Sequence, residues 1–176
     1  MRSYRHSRIF HRLVRRTAAT RFMAKVYGVI QQPLDRLLYR LTKGRTTASS
    51  WLAGVEIAML TTTGAKSGRL RTLPVLGLSD GDDIIVIASN FGRPRHPSWY
   101  HNLRANPRAR IVLQGVEREV EARELGGDER ERAYSRGEEI YPGFVHYRRW
   151  AGDRQIPVLR LERPGRAGPL ATPLEA

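Results

Sequence analysis

TLPVLGLSDGDDIIVIAS, residues Thr72 to Ser89, decides the architecture. Two short apolar runs, Thr72 to Leu78 and Ile84 to Ser89, flank Ser79, Asp80, Gly81 and Asp82. Glycine accepts a positive φ and aspartate bonds its own backbone, so this tetrapeptide predicts a tight hairpin between antiparallel strands. Working outward, Val55 to Thr62, Arg110 to Gln114, Val116 to Leu125 and Ile156 to Leu161 have the same β-type composition and are bounded by Gly, Pro, Asn or Asp. Pro97 to Ala105 reads as a helix stopped by Asn106 and Pro107. A second helix is expected from Asp128 to Ile140, with Asp128 and Glu131 at capping-box spacing. Five or six short strands with two interposed helices predict a mainly β (α+β) chain, a small antiparallel barrel with helices outside it. The strands follow one another too closely for repeated βαβ crossovers, and no GxGxxG follows any of them, which excludes a parallel dinucleotide fold.

The 176 residues suit one domain with an appended segment, and 40% hydrophobic content is enough for a packed core. The chain has no Cys, which excludes disulfides, thiolate metal sites and thiol nucleophiles and accords with a reducing cytoplasm. No apolar stretch is long enough for a spanning helix, and the N-terminus lacks a signal-peptide core.

Of the net charge of +14, eleven units lie in residues 1–50, which hold twelve Lys and Arg against Asp35 alone. Ile9 to Ile30 interleaves apolar and basic residues at helical spacing, and Leu34, Leu37, Leu38 and Leu41 continue the pattern after Pro33. Two readings stand: an interfacial helix attracted to an anionic membrane surface, or helices docked on their own domain with a solvated basic face. The expected division is a basic amphipathic helical extension over 1–45, a barrel over 46–162 and a disordered Pro/Gly-rich tail over 163–176.

Three segments carry candidate chemistry. TTTGAKSGRLRTLP, Thr61 to Pro74, combines Gly64 and Gly68, which let backbone N–H groups turn inward, with Lys66, Arg71, Thr63 and Ser67. It reads either as an anion cradle or as an ordinary hairpin loop, and its spacing does not match a Walker A loop. SNFGRPRHPSWYHNLRAN, Ser89 to Asn106, places Trp99 and Tyr100 near the start of a helix after a basic Gly/Pro loop. Trp99 there serves either a flat ligand or the packing of its helix on the sheet. His96 and His101 are five apart, which does not put them on one helical face, and no HExxH occurs, so no metal site is expected. YPGFVHYRRW, Tyr141 to Trp150, spaces Tyr141, Phe144 and Tyr147 so that they wall one side of a pocket if the segment is helical. A phenol there is a proton donor rather than a base, its ordinary pKa being near 10. Glu117, Glu119 and Glu121 alternate along a strand as a solvated face. No set of side chains explains catalysis unaided, so an enzyme of this kind borrows its reactive group.

Taken in order, TTTGAKSGRLRTLP, HPSWYHNLRANP from His96 to Pro107, and YPGFVHYRRW followed by IPVLRLE resemble the deazaflavin-dependent nitroreductase family over about Tyr39 to Glu162. The resemblance implies a split β-barrel of antiparallel strands, related to FMN-binding oxidoreductases, that uses reduced coenzyme F-420. It implies that Lys66, Ser67, Gly68 and Arg71 hold the coenzyme's phosphate and acidic tail, that Pro74 lines the same site, that Ser89 and Asn90 lie beside the deazaflavin ring, and that Trp99 packs near it. It implies that Tyr141 and Tyr147 line the acceptor pocket, where one stabilises or protonates the reduced product. Nitroimidazole-activating members carry tyrosines where this chain has Leu76 and Phe144, and a lysine at the position of Asn90. These departures predict a more apolar pocket, suited to a quinone-like or nitroaromatic acceptor.

The expected function is hydride transfer from reduced F-420 to such an acceptor, in the cytoplasm and at the inner face of the membrane if the basic extension binds lipid. An FMN-dependent oxidoreductase on the same barrel is the enzymatic alternative. A nucleic-acid-binding module using the leader with Arg93, Arg104 and Arg108 is the other, with neither a helix-turn-helix nor an RNA-binding signature to support it.

Overall fold

The computed structural model describes residues 56–165. The expected helical extension over 1–45 lies outside the described residues, as does most of the expected tail.

Six strands form a closed antiparallel barrel: β1 (Ile57–Thr63), β2 (Leu70–Asp80), β3 (Asp83–Ile87), β4 (Arg108–Leu113), β5 (Val116–Glu124) and β6 (Val158–Glu162). The order around the barrel is β1-β2-β3-β6-β5-β4, and β4 pairs back onto β1. The expected hairpin forms, with Asp80 opposite Asp83 and Gly81 at φ 65°. Among the described residues three α-helices accompany the barrel: α1 (Ser98–Ala105), α2 (Gly127–Ile140) and α3 (Gly143–Trp150). The third covers Phe144 and Tyr147 of the last aromatic segment but not Tyr141.

Two cores explain the apolar pattern. The barrel interior takes Leu60, Val75, Ile84, Val86, Ile111, Val120 and Leu161 from the strands, and Trp99, Tyr100 and Leu103 of α1 join them. A second cluster contains Leu78, Ile85, Ile87 and Val158 from the strands with Tyr134, Phe144 and Tyr147 of α2 and α3. Successive residues of a strand face opposite sides, so Ile84 and Val86 enter the interior while Ile85 and Ile87 enter the helix-covered layer. Both faces of β3 are therefore buried, and its sequence is continuously apolar rather than alternating. On β5, by contrast, Glu117 and Glu119 are exposed and only Val120 and Ala122 turn inward, as expected for a solvated face.

The capping box expected from Asp128 and Glu131 does not form. The helix starts at Gly127 with Gly126 as its cap and no side-chain capping bond. Glu131 accepts from Arg130 and Arg148 instead, so its charge is drawn sideways to guanidinium groups rather than back to the first turn.

Candidate functional site

β2 is eleven residues long but β3 pairs only with its last four, Gly77 to Asp80. Leu70 to Leu76 are bonded to β1 on one side, and the β3 ladder stops at Gly77 and Val86. This unmatched edge explains how Pro74, which has no N–H to give a ladder, fits inside a strand. It also carries Arg71, Pro74 and Leu76, with Pro74 and Leu76 on one face of the strand and Arg71 on the other. Between Arg71 and Leu76 the strand advances about 17 Å, at roughly 3.3 Å per residue.

At one end of this stretch is the β1–β2 hairpin tip, with Lys66, Ser67, Gly68, Arg69 and Arg71 all exposed. Gly68 takes φ 64°, the conformation that needs glycine here. The reading of Gly64 to Gly68 as a cradle of inward N–H groups is corrected by the hydrogen bonds. The N–H groups of Ser67 and Gly68 both donate to Gly64 O, at 3.2 and 2.8 Å, and that of Ala65 donates to Asn102 Oδ1 at 3.0 Å. With these donors spent within the protein, an anion held there is met chiefly by side chains. Lys66, Arg69 and Arg71 have no ion-pair partner among the described residues, whereas Arg136 and Arg160 pair with Asp80 at 2.6 and 3.1 Å.

Asn102 was not singled out by the sequence reading, yet it anchors the tip. It is 8% exposed; its Nδ2 donates to Thr62 Oγ1 at 3.0 Å while its Oδ1 accepts from Ala65. The available signal was a polar residue at i+3 from Trp99 on the helix face that carries Trp99 and Leu103. Trp99 itself is 6% exposed and belongs to the barrel interior, so the structure shows its packing role.

At the other end, Leu76, Phe91, Tyr141 and Trp150 pack on the cluster that contains Phe144 and Tyr147. Residues up to 74 positions apart in the sequence thus form one aromatic and aliphatic wall, and Leu76 and Phe144, two of the three positions of departure, both belong to it. Tyr141 caps α2 rather than lying within α3, and its ring meets Phe144 edge-on at 5.5 Å. The hydroxyls of Tyr141 and Tyr147 are 3.2 Å apart. Tyr141 is half-buried and Tyr147 fully buried, so the pair reaches outward through Tyr141. Burial, reinforced by the neighbouring Tyr141, pushes the Tyr147 phenol well above its ordinary range, which keeps it protonated.

Ser89 and Asn90 begin the segment that links β3 to α1. Asn90, Phe91 and Gly92 run at φ 48°, 57° and 69°, a left-handed turn that costs non-glycine residues on the order of 1–2 kcal/mol each. Ser89 is buried, and Asn90 Nδ2 donates to Arg95 O at 2.8 Å. His96, just ahead of α1, brings its ring to 5.9 Å from that of His101 despite the five-residue spacing.

The family model for F420H(2)-dependent quinone reductase matches residues 34–163. The chain belongs to the F420H(2)-dependent quinone reductase family. Members are oxidoreductases, and F420H(2) is the reduced form of coenzyme F-420. A putative F420H(2)-dependent quinone reductase of Mycobacterium tuberculosis is 36% identical over 96 residues, covering 54% of this chain and 80% of that protein. A second Mycobacterium tuberculosis relative, named an F420H(2)-dependent quinone reductase, is 39% identical over 93 residues, covering 52% of this chain and 61% of its own length. A solved F420-H2 dependent reductase superposes with a TM-score of 0.56 at 39% identity, covering 60% of this chain and 93% of that one. Another solved structure, described as a domain-swapped dimer, gives 0.59 at 35% identity over 72% of this chain and 95% of the other.

The quinone reductase family's cofactor carries a flat ring and an anionic tail, and the donor set fits both. A hairpin offers Lys66, Arg69 and Arg71, without ion-pair partners among the described residues, the cationic chemistry suited to phosphate and carboxylate. An apolar wall stands at the far end of the unmatched stretch, joined to it by Leu76.

Proposed function

We propose that this protein reduces a quinone-like acceptor with F-420, and that the unmatched edge of β2 is where the two reactants meet. The observation that carries this reading is a cationic tip without ion-pair partners among the described residues at one end of the unmatched stretch of β2, and at its other end, reached through Leu76, an aromatic wall holding the Tyr141–Tyr147 hydroxyl pair. When bound, reduced F-420 supplies a hydride; the quinone takes up that hydride and a proton to become the quinol.

The residues of the chain then have separate tasks. Lys66 and Arg71 bind the anionic part of the coenzyme, while Ser67 and Gly68 set the shape of the tip. Pro74, Ser89 and Asn90 flank the ring, with Trp99 supporting α1 from inside the barrel. Leu76, Phe91, Phe144 and Trp150 exclude water from the acceptor side. Tyr141 Oη donates to the acceptor oxygen on which charge develops, and Tyr147 Oη orients it. Leu76 and Phe144 offer no hydroxyl, which favours an apolar quinone over a polar nitroimidazole. The basic residues over 1–45 hold the barrel at anionic lipid, where such quinones dissolve, on the cytoplasmic side of the membrane. Deleting them is expected to abolish liposome binding while sparing turnover of a soluble quinone.

Titration with F-420 and FMN in parallel tests the reading, followed by tryptophan fluorescence because Trp150 belongs to the aromatic wall. Saturable quenching selective for F-420 is expected, weakened about tenfold by Lys66→Ala or Arg71→Ala, the loss of one charge-assisted hydrogen bond. Equal affinity for FMN, or affinity unchanged in both variants, would refute it.

A further inference from the structure

Arg154 lies in the loop between α3 and β6, outside every segment singled out from the sequence. Its guanidinium is half-buried and has no carboxylate within ion-pairing distance among the described residues. It faces the segment after β3 instead: Nη2 donates to Ser89 O at 2.7 Å, Nε donates to Arg93 O at 2.9 Å, and Nη1 lies 3.1 Å from His96 Nδ1 and 3.5 Å from Ala88 O. A planar fork of five N–H donors can span these separated acceptors at once, which a lysine ammonium cannot.

The residues enclosed by that grip are the left-handed run Asn90, Phe91 and Gly92, which an L-chain does not hold by itself. The run also sets the distance to α3. A Cβ on Gly92 would stand 2.8 Å from Trp150 Cβ and 2.9 Å from Tyr147 O, so the loop backbone rests directly on the helix that carries the acceptor-side tyrosine. Phe91 meets the Tyr147 ring edge-on at 5.8 Å.

We infer that Arg154 is a positioning residue for hydride transfer: it fixes the segment carrying Ser89 and Asn90 against α3, so the ring side and the acceptor side of the site hold one relative geometry. This rests on the functional reading above. The hairpin cations lie on a different element, anchored by Asn102, so Arg154 governs turnover more than coenzyme capture.

The test compares wild type, Arg154→Lys and Arg154→Ala in the full-length protein. Amide hydrogen exchange without coenzyme, read over residues 88–97, is expected to quicken about tenfold or more in both variants, because a local opening becomes easier. With F-420 and a soluble quinone, kcat is expected to fall roughly 10- to 100-fold, the usual effect of a small misplacement of reacting groups, while the Kd for F-420 moves less than about threefold. Millimolar guanidinium is expected to restore part of kcat in Arg154→Ala and none in wild type, which a general loss of stability would not produce. Unchanged exchange over 88–97, or kcat within twofold of wild type in both variants, overturns the inference. Failure of the functional reading is separate and appears in the wild-type protein, as absence of F-420 turnover, which overturns the inference with it.

Discussion

Replacing Asn102 tests whether the cationic tip works only when it is anchored. In Asn102→Ala the donor to Thr62 Oγ1 and the acceptor for the Ala65 N–H are both lost. Thr62 is 1% exposed, so its hydroxyl is left without that partner away from water, whereas Ala65 is exposed and its N–H regains a solvent bond. The loss of one buried bond costs about 1–3 kcal/mol and the exposed one about 0.5–1 kcal/mol, so roughly 1.5–4 kcal/mol in all. For a domain of this size that is a fall in Tm of about 6–15 °C. Asn102→Asp separates anchoring from packing: it keeps the acceptor for Ala65 but removes the donor to Thr62 and brings a negative charge beside the tip. Differential scanning calorimetry and F-420 titration would be run on both variants. Weaker F-420 binding is expected in each, about tenfold for the alanine variant and more for the aspartate, whose charge opposes the ligand's. A normal Tm together with unaltered F-420 affinity in Asn102→Ala would refute the reasoning, because the tip would then be ordered without its anchor.

Other consequences follow from the same contacts. Tyr141→Phe is expected to lower kcat for a soluble quinone by about 10- to 100-fold, and Tyr147→Phe by less because its hydroxyl acts through Tyr141; steady-state kinetics with a fixed F-420 concentration would decide. Gly92→Ala is expected to lower Tm and kcat together, since φ 69° and the backbone of Tyr147, 2.9 Å from the added Cβ, leave it no room; activity per folded molecule equal to wild type would contradict this. Burial pushes Tyr100, next to Glu124, and Tyr134 up to about 12, and Tyr147 higher; the folded state retains protons that the unfolded chain releases above about pH 10, so stability should be intact below pH 10 and decline above it in alkaline denaturation curves. Burial, with Arg154, His101 and Arg104, holds His96 below the usual histidine range; its contribution to stability is present above about pH 6.5 and lost as pH falls through its lowered pKa, a step that should vanish in His96→Gln.

Much of the site was legible in local sequence. Lys66 and Arg71 stand out because they are charges flanking a Gly-containing turn, which lies at the surface. The aromatic segment was legible as a wall but not as to what completes it, since Leu76 and Phe91 come from other elements. Asn102 and Arg154 escaped notice for a different reason. Each is an ordinary polar residue in sequence, and its importance comes from backbone groups that are 37 and 65 positions away along the chain, Ala65 and Ser89. The inward N–H reading of Gly64 to Gly68 was likewise a statement about hydrogen bonds that composition cannot apportion, and the turn took those donors for itself.

By itself, the amino-acid sequence determined the strands, the hairpin at Gly81, the helix that ends before Asn106, and the presence of cationic and aromatic segments, because turn chemistry and two-residue periodicity act over a few neighbouring residues. Only the tertiary structure decided that β3 leaves β2 unpaired from Leu70 to Leu76, that the cationic tip lies at one end of that stretch and the aromatic wall at the other, and that Asn102 anchors the tip while Arg154 holds the segment after β3. Those are consequences of closing six strands of unequal length into one barrel, where the partner of each backbone group is set by register rather than by sequence position.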